Sequence, residues 1–225
     1  MDSNIATPAQ TLATRGVFFD LDGTLADTVA ALTAALNDTF TPRRFPLVTE
    51  EDTLRCINYG ARELVRRAAP DHLSPSEVDE LLSEYLVHYR VHNLDTRRAY
   101  DEISELIYLL KRRGYLCAVV TNKPQELACG LTEALFGGQF DFVLGQSPEL
   151  PAKPDPAMAL HALDKLGLSK EEVIFVGDSI ADVNFARNSG MRFVGAGWGF
   201  FGRVSLQNAG AESVASRPLE ILKYL

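Results

Sequence analysis

Three cysteines and one tryptophan occur in 225 residues, and no lysine precedes Lys111. Cys56, Cys117 and Cys129 are odd in number and share no short spacing, so nothing indicates a disulfide framework or a cysteine zinc site, and a reducing cytoplasm is the expected setting. Positive charge is also short. The 22 Lys and Arg stand against 30 Asp and Glu, for a net charge of −8. Binding to a nucleic-acid backbone relies on cations that neutralise phosphates, so that function class is set aside, and any anionic substrate must be met by local charge. No apolar run approaches the length that spans a bilayer, which sets aside a membrane protein. Residues 1–14 lack the basic start and apolar centre of a secretory signal and read as a loose tail.

What is present is an apolar fraction of 46%, enough for an ample core, and one stretch that orders the rest, VFFDLDGTLADT at residues 17–28. Val17, Phe18 and Phe19 read as a strand buried on both faces of a parallel sheet. Asp20 and Asp22 follow two residues apart, so continued strand geometry turns both carboxylates to one side. Gly23 and Thr24 then break the strand. The carboxyl ends of strands are where open α/β sheets bind ligands. Two acids this close call for a cation, and Mg2+ favours carboxylate oxygens together with substrate phosphate. A lone Asp before Gly is usually a turn or cap residue; the three buried-strand residues before this pair argue against that here.

The rest of the chain divides in two. Residues 28–97 read as helices only, over 29–40, 50–56, 61–69 and 75–93, the last with Ser74 as N-cap, Pro75 as first residue and Glu77 completing the box. This block reads as a smaller cap domain inserted after the first strand. From residue 98 to 225 helices and strands alternate. Helices are expected over 101–113, 125–136, 156–166 and 181–189, and strands over 116–120, 140–144, 173–176 and 193–196. With residues 15–27 this gives a doubly wound parallel sheet of Rossmann-like α/β type. Polar residues gather at the strand ends: Thr121 and Asn122 after the second, Asp178 after the fourth with Asp182 four residues on, and Lys153 in the AKPDP loop between them, where Pro154 biases it away from helical geometry. Carboxylates for a divalent cation, a hydroxyl and an ammonium suit a phosphoryl group.

The segments DLDGT, TNK, KPDP and GDSIAD, in this order and spacing, resemble the four motifs of the haloacid dehalogenase superfamily of phosphatases. The likeness spans residues 15–27 and about 98–200, and the helical block resembles that superfamily's cap. The resemblance implies a Mg2+-dependent phosphatase in which Asp20 is the nucleophile that forms an aspartyl-phosphate. It implies that Asp22 protonates the leaving oxygen, then activates water, and offers its backbone carbonyl to the metal. Thr121 would bond the phosphoryl oxygens, Lys153 would neutralise nucleophile and phosphoryl group, and Asp178 would bind Mg2+. Asp182 would orient Lys153 or a metal-bound water, and Asn122 would make a second contact to the phosphoryl group or to its loop. The metal set implied is thus Asp20, Asp22 and Asp178.

Among capped members, VVTNKP with KPDP and GDS resembles the phosphoglycolate phosphatases, which points to a small phosphorylated metabolite, 2-phosphoglycolate first, acted on by a monomer or homodimer. Sugar-phosphate phosphatase, pyrophosphatase and phosphoglucomutase-like transfer stay open, as does a non-catalytic anion-binding module. Specificity is expected in residues 58–62, with Gly60 opening a helix whose N-terminus attracts an anion. Arg62 either pairs with a second anionic group of the substrate or lies on the helix surface against solvent or Glu63. His88 and His92 have metal-ligand spacing but no HExxH pattern, and read as a solvated cap face. Residues 96–102, TRRAYDE, depart from relatives that carry Pro and Gly at the return from cap to core. Gly195, Gly197 and Gly199 read as a loop beside the site.

Overall fold

The computed structural model describes residues 15–95 and 98–225; the expected tail and residues 96 and 97 of the cap return lie outside that range. Strand β1 (Gly16–Phe19) is flanked by β2 (Leu116–Pro124) and β4 (Val173–Gly177), both parallel to it. With β3 (Phe142–Gln146), β5 (Arg192–Ala196) and β6 (Val214–Ala215) they form a six-stranded sheet in the order β3-β2-β1-β4-β5-β6. The order reverses between β1 and β4, and such a switch point opens a crevice at the strands' carboxyl ends.

Alternation along the strands feeds two cores, because successive side chains leave opposite faces of a sheet. Val17 and Phe19 of β1 pack with Ile174 and Val176 of β4, under α5 (Ile103–Arg112) and α6 (Gln125–Phe136). Phe18 and Phe175 face the other way, under α7 (Ala157–Leu166) and α8 (Ile180–Ser189). Helices α1 (Val29–Phe40), α2 (Glu50–Cys56), α3 (Ala61–Ala68) and α4 (Pro75–Asp95) have a third core of their own, centred on Leu36, Phe40, Leu81, Tyr85 and Tyr89, which also takes in Leu127 from α6. Thr49 with Asp52 and Ser74 with Glu77 make reciprocal cap bonds at the starts of α2 and α4, as the Ser74 spacing predicts. The chain leaves and re-enters the sheet region side by side: Asp27 N–H donates to Arg98 O, and Tyr100 N–H to Leu25 O. Among the described residues no helix is long and apolar enough to cross a membrane.

The structure departs from the sequence pattern in several places, among them β3, which runs Phe142–Gln146 where a strand is expected over 140–144. β2 continues to Pro124 instead of ending at Val120: after an irregularity beyond Val120, Pro124 pairs again with Gln146 of β3, and Thr121, Asn122 and Lys123 between them are buried. Beyond β5 lie α9 (Gly202–Asn208) and the two-residue β6, segments too short for periodicity to reveal. Phe175 is fully buried, edge-on to Phe185 at 5.0 Å between ring centroids. Phe175→Ala is expected to lower the unfolding free energy by about 3–5 kcal/mol in denaturant titration, through lost transfer energy and the cavity left behind.

Candidate active site

Every charged group of the site is delivered by an element's end. Asp20 and Asp22 leave the tip of β1, Thr121 to Lys123 lie in the extension of β2, Lys153 is in the loop before α7, and Asp178 follows β4. Asp182 owes its place to helix capping. Ser179 caps α8, and Asp182 at the third helical position accepts from Ser179 N at 3.0 Å and Ser179 Oγ at 2.7 Å. Its other oxygen, Oδ1, is thereby turned to Lys153 Nζ at 2.7 Å. The ammonium also donates to Val120 O at 3.1 Å and lies 2.9 Å from Asp20 Oδ1, an ion pair without the alignment of a hydrogen bond.

The balance of charge here is uneven. Single carboxylate oxygens of Asp20, Asp178 and Asp182 lie within 4.8 Å of one another, and Lys153 is the ammonium among them. Burial, with Lys153 opposing and Asp182 adding to it, pushes Asp20 up to about 6. Burial, then the charges of Asp182 and Asp20, push Asp178 well above the usual carboxylate range. Burial opposes the charge on Lys153, yet Asp182 and Asp20 together hold its pKa above the ordinary lysine value. A hard divalent cation fits this donor set of carboxylate oxygens and would offset its excess negative charge.

Asp178 is clamped rather than merely buried. Thr24 Oγ1 donates to its Oδ1 at 2.9 Å and Phe200 N–H to its Oδ2 at 3.0 Å. The loop that brings Phe200 in is anchored by Trp198 Nε1 on Thr24 O at 2.9 Å. Two glycines allow the approach: Gly23, with φ at +81°, and Gly199, where an added Cβ would overlap both Asp178 Cβ and Gly23 O.

Above these groups lies a cavity of about 580 Å3, open mouth included, between the sheet and helices α1, α3 and α4. Asp20, Asp22, Thr121, Asn122, Lys153 and Gly60 all line it. Thr121 is buried beside Asp20 on this wall, and its Oγ1 accepts from Lys123 N–H at 3.3 Å. Asp22 Oδ1 accepts from Thr28 Oγ1 at 2.8 Å and from Lys123 Nζ at 3.0 Å. Gly60 sits at the start of α3 with φ at +87°, and a Cβ there would overlap the Gln146 side chain.

For two residues the structure shows protein partners in place of the substrate contact that is one of the alternatives for each. Arg62 is not among the lining residues: its Nε donates to Asp79 Oδ1 on α4 at 2.7 Å, with about half the side chain exposed. The helical phase of α3 turns this side chain outward, while Glu63, the other partner considered, pairs with Arg66 and Arg67. Asn122 is bound within the protein, donating from Nδ2 to Asn58 O and to Lys153 O, both at 3.0 Å, and accepting Lys153 N–H at 2.8 Å. It ties the Lys153 loop to the segment before α3. Of the histidine pair, His92 Nε2 meets Asp38 Oδ2 at 2.7 Å.

Sequence reasoning passed over Lys123, Tyr85 and Tyr89. Lys123 stood inside TNK without a role, yet its side chain is fully buried, bonds Tyr89 OH and lies 4.3 Å from that ring's centroid. The spacing of Tyr85 and Tyr89 on α4, four residues apart, marks one helical face; nothing in it tells a core face from a cavity wall.

Arg62→Ala is expected to leave the KM for a carboxylated phosphate ester unchanged, measured by steady-state phosphate release. Gly199→Ala is expected to displace Asp178 and weaken the affinity of the acidic cluster for a divalent cation by about 10–100-fold, read as the cation concentration that produces half the thermal stabilisation.

Residues 17–196 match the profile of the haloacid dehalogenase-like hydrolases. Over 213 residues the chain is 30% identical to an N-acetylmuramic acid 6-phosphate phosphatase of Pseudomonas aeruginosa, covering 94% of each chain. Over 186 residues it is 34% identical to a phosphoglycolate phosphatase of Agrobacterium fabrum, covering 81% of this chain and 80% of that one. Among solved structures, a haloacid dehalogenase-like family hydrolase of Streptococcus pneumoniae superposes with a TM-score of 0.84 at 26% identity, covering 94% of this chain and 98% of that one. With the matched span running from β1 through the helical block to the end of β5, the protein belongs to the haloacid dehalogenase-like hydrolase family.

Proposed function

We propose that this protein is a Mg2+-dependent phosphatase that hydrolyses a small phosphate monoester, 2-phosphoglycolate first among candidates, through an aspartyl-phosphate on Asp20. The observation that carries the reading is Asp20 itself: a buried carboxylate at the cavity floor, held from behind by Lys153 at 2.9 Å, with Thr121 in the same wall. Fixing a nucleophile so removes the entropy of aligning it with phosphorus.

In the first step an Asp20 oxygen bonds to phosphorus as the ester P–O bond breaks, and Asp22 delivers a proton to the departing oxygen. In the second, water attacks the phosphorus of the acyl phosphate, Asp22 takes the water's proton, and Asp20 and inorganic phosphate are released. Asp22 suits this shuttle because Thr28 and Lys123 both hold its Oδ1, which leaves Oδ2 for the cavity. Asp20 and Asp178, with the backbone carbonyl of Asp22, would hold Mg2+, which supplies positive charge against the phosphoryl oxygens. Lys153 adds its charge from below, and Asp182 keeps that ammonium in place.

Residues 28–97 serve in this reading as the cap that seals a small volume over the acids, which disfavours protein and nucleic-acid substrates. The support for 2-phosphoglycolate is the relatives of that name, at 28–34% identity. A sugar phosphate is the second reading, favoured by the similarity to the N-acetylmuramic acid 6-phosphate phosphatase along nearly the whole of both chains.

Phosphate release from a panel of small esters, with and without Mg2+, tests the proposal. Release is expected to need the metal and to fall to background in Asp20→Asn; release that persists in that variant would overturn the mechanism. The highest kcat/KM in the panel is expected for 2-phosphoglycolate, and a higher value for N-acetylmuramic acid 6-phosphate would transfer the substrate to the second reading.

A further inference from the structure

We propose that Lys123 and Tyr85 form a second anchoring point, at the seam between the sheet and the helical block, for a carboxylate borne on the carbon next to the phosphate ester oxygen. The substrates it selects are phosphate esters of 2-hydroxycarboxylic acids. The proposal rests on the phosphatase reading above and gives the leaving group a specific partner.

Four observations converge on it. Lys123 lines the cavity although its side chain has no exposure to bulk solvent. Its ammonium has three donors, of which two go to Asp22 Oδ1 and Tyr89 OH, so one remains among the described residues. The cavity's other lining cation, Lys153, directs its ammonium at Val120 O, Asp182 Oδ1 and Asp20 Oδ1. Charge for a second anionic group therefore has one source among the lining residues, and it is Lys123.

Tyr85 is the independent mark of a ligand. It is fully buried, lines the same cavity, and its hydroxyl has no hydrogen-bond partner among the described residues. A buried hydroxyl without a partner costs about 1–3 kcal/mol, a penalty that a bound acceptor removes. Its ring centroid lies 5.3 Å from that of Tyr89, the residue that bonds Lys123, so Tyr85, Tyr89 and Lys123 are neighbours in the cavity wall. The remaining wall there is apolar, with Leu32, Ile57 and Leu64.

Position relative to Asp22 sets the chemical class. Lys123 holds the carboxylate that protonates the leaving oxygen, so it lies beside the leaving group and away from the transferred phosphoryl. The shortest leaving group that carries an anion to that side of Asp22 bears it on the carbon next to the ester oxygen. A desolvated ammonium discriminates strongly between a carboxylate and a neutral group at that place. Arg62, engaged by Asp79 outside the cavity, is not needed for this recognition.

The test is calorimetric titration in Mg2+ of Asp20→Asn, which binds without turning over, with 2-phosphoglycolate and with ethyl phosphate. Asp20→Asn is expected to bind 2-phosphoglycolate at least about ten-fold more tightly than ethyl phosphate, the worth of one charge-assisted contact. Adding Lys123→Met is expected to abolish this preference. Adding Tyr85→Phe is expected to reduce it several-fold, in a protein that melts no lower than Asp20→Asn because the lost hydroxyl had no partner. A preference that survives both additions, equal binding of the two esters to Asp20→Asn, or an equal loss of both in the Lys123 variant overturns the proposal. Failure of the phosphatase reading is visible separately, as absence of turnover of either ester by the unaltered protein.

Discussion

Three carboxylates gathered around one ammonium are the constraint on which the rest of the structure depends. Asp20, Asp178 and Asp182 converge within 4.8 Å, and Lys153 alone lies among them to answer their charge. Breaking such a buried pair leaves uncompensated charge, at a cost of about 3–5 kcal/mol. The surrounding fold is therefore committed to holding Lys153. Asn122 fixes its backbone from both sides, Val120 O receives its ammonium, and the Ser179 cap on α8 presents Asp182 to it. A scaffold of that rigidity keeps an excess of negative charge in place, which is what a binding site for a hard cation requires.

The same groups are shared between the sheet and the helices above it. Asn122 reaches up to Asn58 O, and Lys123 reaches both Asp22 below and Tyr89 on α4. Two consecutive residues in the extended end of β2 thus each bond both to the floor of the cavity and to its roof. An acid at the floor and a tyrosine in the roof bonded to one lysine couple the position of Asp22 to the seating of the helical block. A purely apolar contact would not do this, since dispersion and burial specify no direction.

Much of this was legible before any coordinates. The paired acids after VFF, the lysine before Pro154 and the GDSIAD turn were identified as one site, and the structure brings Asp20, Asp22, Thr121, Asn122, Lys153, Asp178 and Asp182 together. Five of the six strands of the parallel sheet likewise follow from alternation of apolar runs with amphipathic helices, and β6 does not. The pattern leaves Arg62 open between the substrate and the helix surface, and it gives Lys123 and Tyr85 no role. On a helix of eight residues, a shift of one position turns a side chain by about 100°, and it was tertiary packing that turned Arg62 to Asp79. Lys123 carried no local signal, because its burial depends on α4, which arrives from a segment over thirty residues away in the chain.

The sequence by itself determined the chemistry of the floor, because strand ends are local features and a parallel sheet always gathers them along one edge. It determined helix starts in the same way, through cap residues that act within one turn. Only the tertiary structure decided what the cavity presents to the part of the substrate beyond phosphorus. That surface is built from side chains of α3, α4 and β2, and whether a tyrosine hydroxyl or an ammonium there meets a partner or an empty space depends on how the helical block lies on the sheet. No periodicity encodes that relation, since it is set by the fit of one core against another.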